Sequence, residues 1–474
     1  MAGALAATAA GGLAMGTAAA CWRWHNRPVR VPDGTVHPPL ALAGRDGIPV
    51  YGLYTRLRSV LTDPVELVRR NAEQYGAMFT LRVPKLYDMT YLLYDDAYAM
   101  VMNLPADHAT LGAVLSKVPT MGYWFPRTGR DTESLQRLVL IARRTIAEML
   151  SQERIARLPD LIADVVEQRV AAWPRTVDLT EAVHPLVYEV VGRYFAGDQL
   201  WSAVGPRLTG LYRKIVDGSD VLRAALAMTP MHYAMPEYHA TRGLHRLLSA
   251  ELGRFDSASS PLLTAIDRVR VDGQPLSVAD ARWMFMAVIW YATSYPGTYN
   301  YWTLVDVLAR PALVERVHGA DTPAARRELL ARCLLETVRL NPVSLLIRFL
   351  RKPLEFEREG VRYHLPAGSS VVVAPGVINR DSTRVHDRPD DYDPDRHLQE
   401  PAPRTASFGR GPFSCVAQQF NKVLTAGLLA ELLTRFDVEL LDDARGRLCR
   451  VHQIYPSAPL RAVLTPLCVP TKTG

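Results

Sequence analysis

The sequence predicts a mainly α protein with small β regions, and three features of the 474-residue chain support this class. From about residue 131 to residue 308, apolar residues recur at spacings of three and four, as in amphipathic helices, and Pro and Gly separate successive helices. Strand-like stretches occur only near the two ends of this region. No repeat and no long Gly/Ser or charged run follows residue 40, so one large unit is predicted.

The predicted strands are short segments rich in Val, Thr, Tyr and Leu. They lie at residues 77–83, 89–94, 354–363 and 369–374. Pro366-Ala367-Gly368 is a turn sequence that joins the last two. Residues 379–403 are crowded with Asp, Pro and Arg, which predicts a long irregular loop. The apolar spacing from residue 416 to residue 433 predicts a further helix.

Composition limits the compartment and the partners. The five cysteines form no CxxC pair, no disulfide ladder and no zinc-site spacing, which favours a reducing compartment. The net charge is +7, but no Lys/Arg block is dense enough to indicate nucleic-acid binding. An acidic redox partner or an anionic membrane surface fits this charge, and a solvated basic surface without a specific partner fits it equally well.

The first 22 residues contain no charged side chain and are long enough for a tilted membrane helix. We expect an N-terminal membrane anchor at residues 1–22, a Pro-rich connector at 23–40 and the catalytic domain at 41–474. The arginines after the apolar run favour a cytoplasmic position for the domain. A loosely associated tail on a cytoplasmic protein is the alternative, whereas a secretory signal would need Lys or Arg before the run.

A single cysteine, Cys415, is predicted to lie in a turn just before the last helix. The helix N-terminus favours a thiolate at this position, and Gly411 allows the backbone to approach a flat cofactor closely. Phe408, Gly411, Cys415 and Ala417 resemble the heme-binding loop of cytochrome P450 enzymes, Phe-x-x-Gly-x-x-x-Cys-x-Gly/Ala. The resemblance implies heme b as the cofactor, with Cys415 as the ligand of its iron. Without this pattern, a buried apolar thiol is the ordinary expectation for a lone Cys.

Glu336 and Arg339 lie three residues apart on a helix flanked by apolar residues, so the pair is predicted to face inward. A buried ion pair needs a further partner, and Arg396 can supply it. In order and spacing, these three residues resemble the Glu-Arg-Arg network that supports the heme loop of cytochrome P450 enzymes.

The resemblance also implies two arginines that bind the heme propionates. Arg348 occupies one such slot, with an exposed strand arginine as the alternative. Phe413 stands two residues before Cys415, where Arg or His is usual, so that contact is missing or comes from elsewhere. Arg137 is a candidate donor, although Glu133 occupies the position of the usual Trp.

The uncharged segment 284–304 resembles the helix that crosses the distal face of the heme in this family. Most members have an acid–alcohol pair there, but this chain has Ser294 and Tyr295 in those places, next to Ala292. Pro296 should leave the Ala292 carbonyl without its helical hydrogen bond and kink the helix. Tyr295 is predicted either to lie over the porphyrin or to form an aromatic packing stripe with its neighbours. The hydroxyls available to relay protons belong to Thr293, Ser294 and Thr298.

Residues 222–238 resemble the mobile lid of the family, with a core helix and turn as the alternative, and residues 114–126 are expected to line the same pocket.

The resemblance implies a monooxygenase that acts on an apolar small molecule, in secondary or lipid-like metabolism, with electrons from a ferredoxin or reductase. The missing acid–alcohol pair leaves open a heme-thiolate isomerase, lyase or peroxide-using enzyme. A non-catalytic heme-binding protein is the third hypothesis.

Overall fold

A computed structural model describes residues 27–41, 64–83, 87–110, 132–217, 230–342, 345–385, 387–411, 414–443, 447–450, 453–456 and 458–467. The mainly α fold with small β regions is confirmed. Four predictions lie outside the described residues. They concern the anchor at residues 1–22, the pocket segment at 114–126, the first part of the lid at 222–229, and Phe413. Within the described ranges, no helix combines the length and the apolar character needed to cross a membrane.

The described part of the chain contains fifteen α-helices, numbered here in chain order. They are α1 Pro64–Tyr75, α2 Asp95–Met102, α3 Thr132–Met149, α4 Gln152–Ala156, α5 Leu158–Val170, α6 Leu179–Ala196, α7 Asp198–Asp217, α8 Pro236–Glu251, α9 Pro261–Arg268, α10 Val278–Leu308, α11 Pro311–His318, α12 Pro323–Leu340, α13 Pro375–Ile378, α14 Ser382–Val385 and α15 Gln418–Arg435. Short 3-10 helices lie at Pro230–Ala234, Leu252–Arg254, Ser257–Ser259 and Pro394–Leu398.

The strands are short. They are β1 Met78–Val83, β2 Tyr87–Leu92, β3 Ala109–Thr110, β4 Thr176–Asp178, β5 Arg270–Val271, β6 Gln274–Pro275, β7 Leu346–Leu350, β8 Leu354–Arg358, β9 Val361–Leu365, β10 Ser370–Val373, β11 Phe436–Leu440, β12 Arg447–Arg450, β13 Gln453–Pro456 and β14 Arg461–Pro466. The early hairpin is confirmed as the antiparallel pair β1–β2. The region predicted as one strand at 354–363 is instead a hairpin, because Glu359 and Gly360 turn the chain with positive φ angles of 54° and 77°.

The chain divides into two compact units. Among the described residues, the first unit contains 27–110 and 345–378, and the second contains 132–342 and 379–467. The first unit is built on a five-stranded sheet of order β1-β2-β10-β7-β3, in which only β10 and β2 pair in parallel. Its core joins the sheet to α1 through buried side chains such as Val68, Phe79 and Tyr91. Val36 and Leu40 of the predicted connector form bridges to Tyr363 and Thr80 in this unit.

The second unit is helical and is organised around α10, which packs against α6, α12 and α15. The sequence starts α10 with a cap, because Ser277 Oγ accepts a hydrogen bond from the Asp280 amide at 3.1 Å. Nearly every turn of α10 is buried, which explains its apolar composition on all sides. The helix runs unbroken through Pro296, whose carbonyl accepts a hydrogen bond from Asn300 Nδ2 at 2.9 Å.

Candidate functional site

The loop before α15 presents the sulfur of Cys415. Gly409 and Gly411 take left-handed φ angles of 67° and 62°, which residues with a side chain rarely adopt. The Cys415 amide donates to the Phe408 carbonyl at 2.7 Å, and the Ser414 amide donates to the Gly411 carbonyl at 3.1 Å. Cys415 is half-buried and forms no disulfide. The loop therefore folds back on itself and holds one thiol at the start of a long helix.

The surroundings of this thiol act on its pKa in opposite directions, and the net effect raises it. Burial raises the pKa of Cys415, while a hydrogen bond from the Ala417 backbone and the positive charge of Arg143 act in the opposite direction. Arg143 lies on α3 and is half-buried. Sequence reasoning selected Arg137 on the same helix and missed Arg143. The only feature of the sequence that could have indicated Arg143 is its position nearly two turns after Arg137 on this amphipathic helix.

A single soft sulfur in a glycine-containing loop suits a heme iron better than a zinc ion, which needs several protein ligands. Within the described ranges, no group of three or more His, Cys, Asp and Glu side chains is arranged to hold a metal. The donor set thus fits a cofactor that brings most of the iron ligands itself.

Glu336 forms the centre of a buried network of hydrogen bonds and ion pairs. The guanidinium of Arg339 binds both carboxylate oxygens at 2.7 and 2.8 Å, and neither side chain is exposed. Arg396 Nε lies 3.4 Å from Glu336 Oε1, and His397 Nε2 lies 3.1 Å from Glu336 Oε2. Burial raises the pKa of Glu336, but the hydrogen bonds from Arg339 and His397 outweigh it and lower the pKa to about 2. The three predicted residues lie together, and His397 is an additional member.

The remaining donors of both arginines bind backbone carbonyls of the irregular segment. Arg339 donates to the carbonyls of Asn379, Pro389 and Asp391 at 2.6 to 3.0 Å. Arg396 donates to the carbonyls of Val385, Asp387 and Arg388 at 2.7 to 3.0 Å. The network therefore fixes the path of the segment predicted as an irregular loop, which among its described residues contains only α14 and the 3-10 helix Pro394–Leu398 as regular structure.

Asn379 connects this network to the cysteine loop. Its Oδ1 accepts from the Ala406 amide at 2.7 Å, and its Nδ2 donates to Ser407 Oγ at 2.7 Å and to the Arg339 carbonyl at 3.1 Å. Asn379 is fully buried, so these bonds are shielded from water. Sequence reasoning missed this residue because it lies in the loop-like segment and belongs to no recognisable motif.

The residues of α10 that were singled out from the sequence fall on two faces. Tyr291, Ala292, Tyr295 and Tyr299 are only half-buried. Thr293, Ser294 and Thr298 are buried to 1% exposure. Thr293 Oγ1 donates to the Ile289 carbonyl at 2.7 Å. The Ser294 and Thr298 hydroxyls have no hydrogen-bond partner among the described residues.

The two predicted propionate arginines have different surroundings. Arg348 lies on β7 of the first unit and is 3% exposed, so the alternative of an exposed strand arginine does not hold. Its guanidinium donates to the Ile347 carbonyl at 3.1 Å. Arg137 is exposed and forms an ion pair with Asp272 at 3.0 Å. The described part of the predicted lid is a 3-10 helix at Pro230–Ala234 followed by α8, with Met231 and Tyr233 exposed.

Comparisons with known proteins agree with this arrangement. The cytochrome P450 family model matches residues 321–452, which include α12, the Glu336 network and the cysteine loop. Lanosterol 14-alpha demethylase from Homo sapiens is 22% identical over 447 residues, covering 87% of this chain and 84% of that protein. Sterol 14alpha-demethylase from Mycolicibacterium vanbaalenii is 23% identical over 306 residues, covering 58% of this chain and 66% of that protein.

The fold also has a solved counterpart. The structure of a cyanobacterial CYP120A1 with bound retinoic acid superposes with a TM-score of 0.70 at 17% sequence identity. The match covers 91% of this chain and 100% of that chain. This structural likeness shows that the two chains share a fold.

Replacing Glu336 by Gln should strongly destabilise the protein, because two buried guanidinium groups would lose their carboxylate. We expect a loss of about 3–5 kcal/mol in the free energy of unfolding, measured by urea denaturation, together with a lower ratio of bound heme to protein. The matched control is Glu328→Gln on the same helix. Glu328 is 68% exposed and pairs with Arg332, so its replacement should cost less than about 1 kcal/mol. Equal effects of the two substitutions would contradict the structural role of Glu336.

Proposed function

Because this chain belongs to the cytochrome P450 family and is a heme-dependent monooxygenase of that family, we propose that Cys415 binds the iron and that the substrate is an apolar small molecule. The observation that carries the proposal is the half-buried sulfur of Cys415, held by the glycine-containing loop at the start of α15. Thiolate-bound heme supplies the activation of dioxygen. The side chains of the chain bind and orient the substrate and control the access of water and protons.

The cysteine loop supports the assignment of Cys415 as the ligand. The Ala417 backbone hydrogen bond and Arg143 both favour the charged sulfur, which is the form that binds a metal. Phe408 and Gly411 shape the loop around it, and Asn379 ties the loop to the Glu336 network. We propose Arg143, which belongs to the same unit as Cys415, as a candidate for a propionate, since a guanidinium binds a carboxylate through two parallel hydrogen bonds. Arg348 belongs to the first unit and stays a prediction from the sequence resemblance. Arg137 stays a weaker candidate because it already pairs with Asp272.

The half-buried stripe of α10 supports an apolar substrate. Tyr291, Tyr295 and Tyr299 recur every four residues and present aromatic surface on one side of the helix. Burial raises the pKa of Tyr291 to about 12, so its phenol stays neutral under ordinary conditions. We propose that Tyr295 and Ala292 face the distal side of the heme, where they restrict the space above the iron.

A monooxygenase of this family receives electrons from a separate donor. We propose an acidic ferredoxin or reductase as the donor, because Arg410 in the cysteine loop is exposed and the chain has a net charge of +7.

Association with a membrane surface through the N-terminal residues, with the domain on the cytoplasmic side, remains a prediction. Secondary or lipid-like metabolism is the corresponding proposal for the pathway, supported by the sterol and retinoid compounds in the names of similar proteins.

Replacing Cys415 by Ser should abolish the red-shifted Soret band of the reduced carbon monoxide complex, because an alcohol oxygen cannot replace thiolate sulfur as an electron donor to iron. The absorbance spectrum of the dithionite-reduced, carbon monoxide-treated protein checks this. Cys333→Ser is the matched control, since Cys333 is a buried thiol whose pKa burial raises to about 12. Retention of the shifted band by Cys415→Ser, or its loss in Cys333→Ser alone, would refute the ligand assignment.

Apolar molecules should bind near the iron and be oxygenated. Lanosterol and retinoic acid are suitable first probes, with binding followed as a shift of the Soret band. With a surrogate ferredoxin, its reductase and isotopically labelled dioxygen, one labelled oxygen atom should appear in the product by mass spectrometry. Turnover that needs only a peroxide or endoperoxide, with no incorporation from dioxygen, would instead support the isomerase or peroxide-using alternative.

A further inference from the structure

Insertion of an oxygen atom from dioxygen into a C–H bond yields water as the second product, so the reaction consumes protons from solvent. The Ser294 and Thr298 hydroxyls are 1% exposed and have no hydrogen-bond partner in the described part of the chain. Buried hydroxyl groups in proteins are nearly always bonded to protein or to ordered water. One turn apart on α10, these two hydroxyls can each donate a hydrogen bond to water and accept one from it.

A cavity of about 600 Å³ is lined mainly by residues of α6 and α7, in the same unit as α10. Its wall includes Thr180, Glu181, His184, Tyr188, Arg213 and Pro456. The Thr180 hydroxyl is buried and has no hydrogen-bond partner among the described residues, so it is available to bind a water molecule in the cavity. The cavity volume is sufficient for many water molecules.

His184 connects this cavity to α10. It lines the cavity and is 9% exposed, and its ring stacks on Tyr188 with centroids 6.3 Å apart. On its other side, the ring centroid lies 5.8 Å from that of Tyr301 on α10. A Cβ atom at Gly297 would lie 3.4 Å from His184 Cδ2 and 3.3 Å from Tyr188 Cε1. The glycine thus allows the imidazole to approach the helix closely.

Gly297 and Tyr301 share a face of α10 with the two buried hydroxyls, because Ser294, Gly297, Thr298 and Tyr301 follow the three- and four-residue spacing of one helix face. His184 therefore contacts α10 on the face that carries these hydroxyls. The half-buried tyrosine stripe adjoins this face, next to Thr298.

Burial keeps the imidazole of His184 neutral. It lowers the pKa of His184 to about 4, an effect that Glu181 and a backbone hydrogen bond with Gly297 oppose and that Arg213 reinforces. Glu181 and Arg213 form an ion pair at 2.6 Å at the cavity wall. Asp178, Arg169 and Glu189 also line the cavity, and Arg169 pairs with Glu189 at 2.7 Å. A neutral imidazole has one nitrogen that donates and one that accepts, which suits it to pass a proton.

We propose that His184 transfers protons from water in the cavity to the Ser294 and Thr298 hydroxyls, and so supplies the protons that monooxygenation consumes. This inference rests on the proposed monooxygenase function. One proton joins the imidazole at one ring nitrogen and one leaves from the other, directly or through a bridging water. His184 then returns to its neutral form, and only N–H and O–H bonds form and break.

The first test replaces His184 by Phe, which keeps the aromatic stack and removes the ring nitrogens. The rate of dioxygen consumption with a surrogate ferredoxin and reductase should fall by roughly tenfold or more. Peroxide-driven oxidation of guaiacol should stay within about twofold of the wild-type rate, because peroxide brings its own protons. A merely structural role would lower both rates together. His245→Phe on α8 is the matched control and should change neither rate.

A second variant blocks the water route without touching His184. Gly210 lines the cavity, and a Cβ atom there would meet no other atom within 4 Å, so Gly210→Phe should fold normally and fill the mouth of the cavity. It should lower oxygen-driven turnover in the same direction as His184→Phe. The inference would be overturned if His184→Phe consumed dioxygen at the wild-type rate. It would also be overturned if the oxygen-driven and peroxide-driven reactions lost activity equally.

Solvent access to His184 is measured separately from turnover. Hydrogen–deuterium exchange at the imidazole C2 position, followed by mass spectrometry of the heme-loaded protein, should be measurable at His184 and slower in Gly210→Phe. If both proteins exchange at the same rate, the cavity is not the route and the inference fails. If the wild type consumes no dioxygen with any donor, the proposed function fails instead, and the exchange experiment still decides whether water reaches His184 through the cavity.

Discussion

The structure around the candidate site depends on the carboxylate of Glu336, which is fully buried and binds the guanidinium of Arg339 through both oxygens. An isolated charge at this position would be strongly unfavourable, but Arg396 and His397 complete its hydrogen bonding. The network then uses its remaining N–H groups to hold backbone carbonyls between Asn379 and Asp391. A segment whose described regular structure is limited to the single turn of α14 thus acquires one conformation.

This constraint reaches the sulfur through a short chain of buried hydrogen bonds. Asn379 accepts from the amide at the start of the cysteine loop and donates to both Ser407 and the end of α12. The loop then needs only its two left-handed glycines and the Cys415–Phe408 backbone hydrogen bond to present the thiol. Preorganisation of this kind would let Cys415, the proposed ligand, bind iron without the cost of ordering a flexible loop.

The two faces of α10 differ in burial and in the chemistry of their side chains. The tyrosine stripe offers apolar, half-buried surface, whereas the neighbouring face carries buried hydroxyls beside a histidine from α6. Gly297 leaves room for this close packing, since a Cβ atom there would already lie 3.3 Å from Tyr188 Cε1 and 3.4 Å from His184 Cδ2. The proline at position 296 is accommodated within a continuous helix, with Asn300 bonding its carbonyl.

Local sequence patterns were sufficient for the helical class, the first hairpin and the cysteine motif, because periodicity, turn residues and motif spacing act over a few neighbouring positions. The same patterns placed Glu336, Arg339 and Arg396 in one network. They gave no sign of His397, Asn379, Arg143 or His184. The roles of these side chains arise from contacts with residues far away in the chain, and only tertiary packing brings such partners together. Tertiary packing also buries Arg348 and leaves Arg137 exposed. The periodicity of a strand or helix shows which residues share a face, but it does not show which other elements pack on that face.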